Sequence, residues 1–270
     1  MRKLLTLLLG FMSVAMTAEV VKYPKVEVDL DKKEVRVEAA LSTELMWGEP
    51  VLEFLLMRGA ARGYETLFLT EADPAHVQLG LVMLGLKPFP LKSEANPTAP
   101  ENLADAKPDA AGVAPCLADV FVSWHTPGGE KTVPLESLIV SRRTKKPALP
   151  MPLLFNGSYY YNDDEGKNTF AASSSGIVIS MMRNPVALFN LPYFEDTPYG
   201  EDPAGFALRV DSLPSELRDV KRVNEADRNG VVRPVEHVVP KATPVKIVFR
   251  VSKATLAAAA QDPYAQAGAQ

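Results

Sequence analysis

A single cysteine, Cys116, in 270 residues excludes an internal disulfide framework and any site built from several thiolates, such as a zinc ribbon or an iron–sulfur cluster. Three histidines leave little material for a histidine-rich metal centre. Positive charge is also in short supply. The 29 Lys and Arg are outnumbered by 33 Asp and Glu, and the net charge of −4 excludes the broad basic surface on which nonspecific nucleic-acid binding depends. No nucleophile elbow, phosphate loop, zinc-binding helix or dinucleotide fingerprint is present. Beyond the N-terminus no apolar run approaches the eighteen residues of a membrane span, so no transmembrane anchor is expected in the mature chain.

The N-terminus carries the clearest targeting pattern. Arg2 and Lys3 are followed by an apolar stretch from Leu4 to Val14 and by small residues at Ala15 and Ala18. That is the layout of a secretory signal peptide over residues 1–18, with cleavage between Ala15 and Ala18 and a periplasmic or extracellular destination for the rest. No cysteine follows the apolar stretch to take a lipid.

The full chain has 47% hydrophobic and 23% charged residues, a globular composition, with 23 prolines that favour strands and loops over long helices. Val26–Leu30 and Glu34–Ala39 alternate apolar and polar positions around Asp31-Lys32-Lys33, which predicts a hairpin. Val51–Met57 is apolar except at Glu53 and reads as a strand covered on both faces; after the Gly59–Gly63 turn, Thr66–Leu69 reads likewise. Asp73-Pro74 opens the one clear helix, with an N-cap acceptor, Pro at the first position, Val77, Leu81 and Leu84 on one face, and Gly85 to end it. Eleven of residues 93–115 are Ala or Pro without hydrophobic period, which predicts an exposed insertion. Strand patterns resume around Val120–Trp124, Lys131–Val140, Leu153–Tyr161, Thr169–Ser173, Gly176–Met182, Phe206–Val210 and Val245–Val251. Residues 215–240 are ambiguous, with a short helix as one reading, and residues 253–270 predict a disordered tail. The expected fold is α+β: a single domain over 19–252, mainly antiparallel sheet with one clear helix and one or two short ones.

Three residues invite chemistry. Glu53 interrupts an apolar strand and needs a partner if ionised and buried; Glu65 directly precedes the next buried run; His76 falls in the first turn of the helix, whose dipole favours the neutral imidazole. Arg58 and Arg62, in the intervening turn, are the available counter-ions, and both are candidate binding residues together with Tyr160 of the Tyr159-Tyr160-Tyr161 run. Two carboxylates and an imidazole suit acid/base work or one divalent ion, and equally an ion-pair and capping network. No cofactor or metal is expected. Cys116 reads as an inert thiol, since no neighbouring sequence feature lowers its pKa.

The segments Leu52-Glu53-Phe54, Tyr64-Glu65-Thr66, Asp73-Pro74-Ala75-His76 and Leu84-Gly85-Leu86-Lys87-Pro88 together resemble the YdjY-type domain found in exported proteins of planctomycetes and related bacteria. Trp124, Arg142-Arg143-Thr144-Lys145-Lys146-Pro147, Phe155-Asn156-Gly157-Ser158, Ser175–Ser180, Gly205–Leu213 and Thr243–Val248 extend the resemblance over about residues 25–252. It implies one domain and no defined activity. Where the family pattern carries Cys and His, this chain has Met57 and Tyr64, so any redox or metal chemistry at that place is lost or altered here. The expectation is an exported, non-catalytic binding or scaffolding module whose partner is an envelope protein or polysaccharide. The alternative is an acid/base or metal-assisted hydrolase using Glu53, Glu65 and His76.

Overall fold

A computed structural model describes residues 19–45, 51–89, 91–93, 97–98, 115–141, 146–148, 150, 152–191, 206–208, 210, 213–226, 228 and 230–254. Residues 1–18, most of the Ala/Pro-rich insertion, Arg142–Lys145 and the tail from residue 255 lie outside the described residues.

The first half contributes β1 (Val20–Tyr23), β2 (Val26–Asp29), β3 (Glu34–Leu41), β4 (Phe54–Arg58), β5 (Thr66–Thr70) and helix α1 (Pro74–Met83). Next come β6 (Leu117–Thr126), β7 (Gly129–Pro134), β8 (Val140–Ser141), β9 (Leu153–Phe155), β10 (Tyr160–Asn162), β11 (Asn168–Phe170) and helix α2 (Ala171–Ser175). The chain continues through β12 (Ile177–Ser180), β13 (Phe189–Asn190), β14 (Phe206–Ala207), β15 (Arg218–Ala226), β16 (Val232–Pro240) and β17 (Pro244–Val251).

The expected α+β class is overturned. The strands run β3-β17-β6-β9-β13-β12-β4-β5, and β5 pairs back onto β3, which closes an eight-stranded, mostly β barrel. The barrel is mixed rather than antiparallel throughout, because β4–β5 and β12–β13 are parallel pairs. Local periodicity shows where strands are but not the sequence-distant pairings that close a sheet. It also reads Gly59–Gly63 as a simple turn, whereas these residues belong to a return path between parallel neighbours. The seven residues from Gly59 to Glu65 can span about 23 Å, enough to retrace a strand of about 17 Å without the usual crossover helix.

The closure depends on how β3 shares one edge. Residues 34–37 pair with β2, and Ala40 and Leu41 pair with Leu69 and Phe68 of β5. Between them, the Glu38 N–H donates to the Lys25 carbonyl at 3.0 Å, and the Thr70 hydroxyl donates to the Glu38 carbonyl at 2.6 Å. The opposite edge of β3 pairs with β17 from Glu34 to Ala40. Inward side chains of alternating strands fill the barrel, among them Val35, Val37, Val122 and Ile247. A row of rings, Phe155, Phe189 and Phe249, joins three strands, with centroids 5.3 and 5.1 Å apart.

The hairpin of β2 and β3 forms as the alternation predicts, and so does α1. The Asp73 carboxylate accepts the Ala75 N–H at 2.9 Å, and Pro74 takes the first position. Gly85, at φ +91°, ends the helix with the paired bonds Leu86 N–H to Leu81 O and Gly85 N–H to Val82 O. Residues 215–240 correct the helical alternative. After a single 3-10 turn at Ser215–Leu217 they form the ribbon β15–β16. Thr169–Ser173 straddles the end of β11 and the start of α2. Among the described residues no helix is long and apolar enough to cross a membrane.

Helix α1 lies on β2 and β3 through Gly80. A Cβ there would come within 2.8 Å of Val28 Cγ2 and 3.0 Å of Val35 Cγ2, two branched side chains with little rotamer freedom. Gly80→Ala gains about 1 kcal/mol of helix propensity but overpacks the contact by about 1–3 kcal/mol, so urea denaturation is expected to show a net loss of up to about 2 kcal/mol and no gain. Val82→Ala, on the exposed side of the same helix, should stay within about 0.5 kcal/mol of the parent.

Candidate functional site

Parallel pairing of β4 and β5 places the residues that precede them side by side. Glu53 donates its backbone N–H to the Glu65 carbonyl at 3.0 Å, and the two side-chain-bearing residues are only 8% and 7% exposed. Arg62 joins them. Its Nη2 lies 2.6 Å from Glu53 Oε2 and its Nε contacts Glu65 Oε1, while the guanidinium stacks 4.5 Å from the centre of the Phe54 ring. The Thr66 hydroxyl donates to the Arg62 carbonyl at 2.7 Å and fixes that backbone. One planar cation thus compensates two carboxylates, an arrangement suited to holding the start of two strands together. Met57 is buried beside Phe54, Ile177 and Ala187, and Tyr64 is exposed.

The remaining predicted residues gather at the opposite end. Arg58 ends β4, and α1 begins just after β5 ends, so a strand length of about 17 Å separates them from the glutamates. Arg58 Nη1 lies 3.4 Å from Asp73 Oδ2, and the Ser173 hydroxyl donates to Asp73 Oδ1. Burial opposes ionisation of Asp73, but the bonds from Ser173 and the Ala75 N–H and the nearby Arg58 charge outweigh it, and the carboxyl sits below its ordinary value. The His76 ring stacks on Tyr23, centroids 5.0 Å apart and planes 15° from parallel. Its Nδ1 is buried without a hydrogen-bond partner. The fold therefore brings Glu53, Glu65 and Arg62 together and places Arg58 and His76 elsewhere. Among the described residues no group of three or more His, Cys, Asp or Glu side chains is arranged to hold a metal ion. Cys116 is buried with Leu91, Leu117 and Leu154.

Tyr160 lies on the short β10–β11 hairpin, where it is 56% exposed and packs one side against Phe170 at 4.9 Å. Tyr161, 37% exposed, donates its hydroxyl to Ser174 Oγ at 3.1 Å and meets Tyr159 edge-on. The three tyrosines, Ser174, Ser175 and Val186 border a groove of about 540 Å³ whose walls carry no charged side chain. A larger cleft of about 730 Å³ opens where β3, β5, β6 and β17 meet, and it includes Trp124. Local sequence pattern could not locate this cleft, because its residues come from four distant segments. The only hint was an aromatic residue at the end of a strand pattern.

A family model described as the YdjY domain matches residues 26–223. Comparison with curated proteins found no match. Comparison with solved structures found none either.

Arg62→Met leaves two carboxylates buried without their shared cation. The expected loss is about 2–4 kcal/mol in urea denaturation, moderated because the Arg62 side chain is 35% exposed to screening water. Adding Glu53→Gln and Glu65→Gln to that variant should recover more than half of it. Asp73→Ala removes the helix cap and should cost about 1–2 kcal/mol at neutral pH. Because the folded state depresses the Asp73 carboxyl, this stability is complete above about pH 4 and is lost as pH falls through the folded value. The gap between parent and variant in acid titrations should therefore narrow below about pH 4.

Proposed function

This chain belongs to the YdjY domain family, and we propose that it serves as a non-catalytic binding module of the cell envelope that grips a neutral polysaccharide in the tyrosine groove. Above all, two neighbouring tyrosine rings turned to solvent beside a wall of hydroxyls support it. Tyrosine rings offer large rigid apolar faces at small entropic cost, and these suit the C–H faces of sugar rings. Ser174, Ser175 and the tyrosine hydroxyls can exchange hydrogen bonds with sugar hydroxyls. A groove without charge disfavours an ionic peptide or a nucleic-acid backbone. Its volume lies within the range of about 300–1,000 Å³ common to ligand pockets.

Export, which this proposal requires, is supported by Arg2, Lys3, the apolar Leu4–Val14 stretch and the small residues at Ala15 and Ala18. The module then works in the periplasm or outside the cell. A hydrolase using Glu53, Glu65 and His76 is disfavoured, because one guanidinium occupies both carboxylates and the imidazole lies at the far end of the strand pair. Acid/base groups need hydrogen-bond reach of a common substrate, directly or through one water.

Calorimetric titration with hexasaccharides of β1–4 glucose, β1–4 N-acetylglucosamine and α1–4 glucose tests the proposal. At least one should bind, and Tyr160→Ala and Tyr161→Ala should each weaken it about tenfold, equivalent to about 1.4 kcal/mol. Absence of binding to all three, or affinity indifferent to both substitutions, would sink the groove as the polysaccharide site.

A further inference from the structure

We propose that the outer edge of β15 pairs antiparallel with the same edge of a second copy of this chain, joining two β15–β16 ribbons into one four-stranded sheet. This contact is independent of the tyrosine groove. The ribbon is the part of the fold that needs such a partner. Among the described residues β15 and β16 pair only with each other, and Val220, Val232 and Val235 stand 55%, 61% and 37% exposed. A two-stranded ribbon with both faces in water is marginal alone, and three or more strands are normally required.

The two outer edges of the ribbon differ. Proline has no N–H to donate, so within a ladder it takes a position whose N–H would point away from the neighbouring strand. Pro234 and Pro240, opposite Asn224 and Arg218, therefore mark the outward-facing positions as the even-numbered residues of both strands. The Val220 N–H agrees, since it donates to Asp219 Oδ1 at 2.8 Å. On β16 the two prolines blunt the edge. On β15, Val220, Arg222, Asn224 and Ala226 all keep outward N–H and C=O groups.

The β15 edge is complementary to itself. A two-fold axis through Val223 places Val220 opposite Ala226 of the second copy and Arg222 opposite its Asn224. These pairs exchange the outward backbone bonds, and the Ala226 carbonyl takes the Val220 N–H from Asp219. The alternate pairs, whose side chains approach more closely, are Val223 with its own copy and Lys221 with Glu225, the latter twice by symmetry. Within its own ribbon Glu225 stands opposite Arg233 and lies 2.8 Å from His237 Nε2, so Lys221 of the second copy completes a ring of basic side chains around that carboxylate. Val235 and Val223, directly opposite each other, join their copies in a valine row across all four strands. With the axis moved to Arg222, that side chain meets itself and Asp219 meets Glu225. With the axis at Asn224, Glu225 meets Val223 and Lys221 faces a residue beyond the end of β15. The Val223 register joins opposite charges and opposes no like ones.

Sedimentation equilibrium of the full chain between about 1 and 100 μM should reveal a monomer–dimer equilibrium within that range. Lys221→Glu opposes carboxylates at two places and Glu225→Lys opposes ammonium groups at two, so each variant alone should dimerise about tenfold or more weakly than the parent. An equimolar mixture of the two variants restores opposite charges at both places, and a heterodimer of about the parent's affinity should form. Asn224→Pro removes an outward donor from β15 while sparing the ladder to β16, and should leave the chain monomeric over the same range. A monomeric parent, single reversals that dimerise as the parent does, or a mixture that stays monomeric would each overturn the proposal. Lys221 is exposed, so its reversal reports on the interface even if Asn224→Pro disturbs the ribbon.

Discussion

Strand β3 serves three neighbours, and the closure of the barrel and the placement of its side chains depend on that sharing. With β17 along one edge, it divides the other between β2 and β5, using Glu38 as the joint at which one partner hands over to the next. The Glu38 N–H bond to Lys25 and the Thr70 hydroxyl bond to the Glu38 carbonyl leave no open sheet edge at this joint, so the barrel closes. Once β5 is bonded to β3 it runs parallel to β4. The parallel pairing in turn brings Glu53 and Glu65 to one end and sends Arg58 and α1 to the other. The cleft lies at the same handover, with Lys25, Glu38 and Leu69–Glu71 in its lining.

Charge compensation divides the molecule into a fixed part and a receptive part. Arg62 is committed to two buried carboxylates and to the face of Phe54, while Arg250 and Arg36 bracket buried Glu34 in the same manner. These pairs sit where strands begin or cross and make the barrel's register costly to change. The tyrosine rings of β10 instead keep a face open to solvent. Binding surfaces are expected where such faces remain open. The groove is neutral and rich in hydroxyls, whereas the cleft carries Glu38, Glu71 and Glu130 together with Lys25 and Lys246.

The surroundings of Met57 and Tyr64 are consistent with this division. Met57 is buried among apolar neighbours and Tyr64 points to solvent, so neither position offers a cluster of ligands around the glutamates. What surrounds the two glutamates is the Arg62 clamp.

The sequence by itself determined the elements whose causes are local. The hairpin of β2 and β3 follows from alternation, and α1 follows from Asp73, Pro74 and Gly85, whose caps act within one turn. That a buried Glu53 needs a cation, and that Arg62 was at hand, was also legible, because burial in an apolar strand forces compensation. Only the tertiary structure decided that the sheet is a closed mixed barrel, that β4 and β5 are parallel, that residues 215–240 form a ribbon, and that His76 stacks on Tyr23 away from the glutamates. Each of these depends on which distant segments pair, a choice made by the summed burial of the whole core and not by the pattern of any one segment. The Trp124 cleft belongs to the same class, since its walls are neighbours only after β3 has taken its three partners.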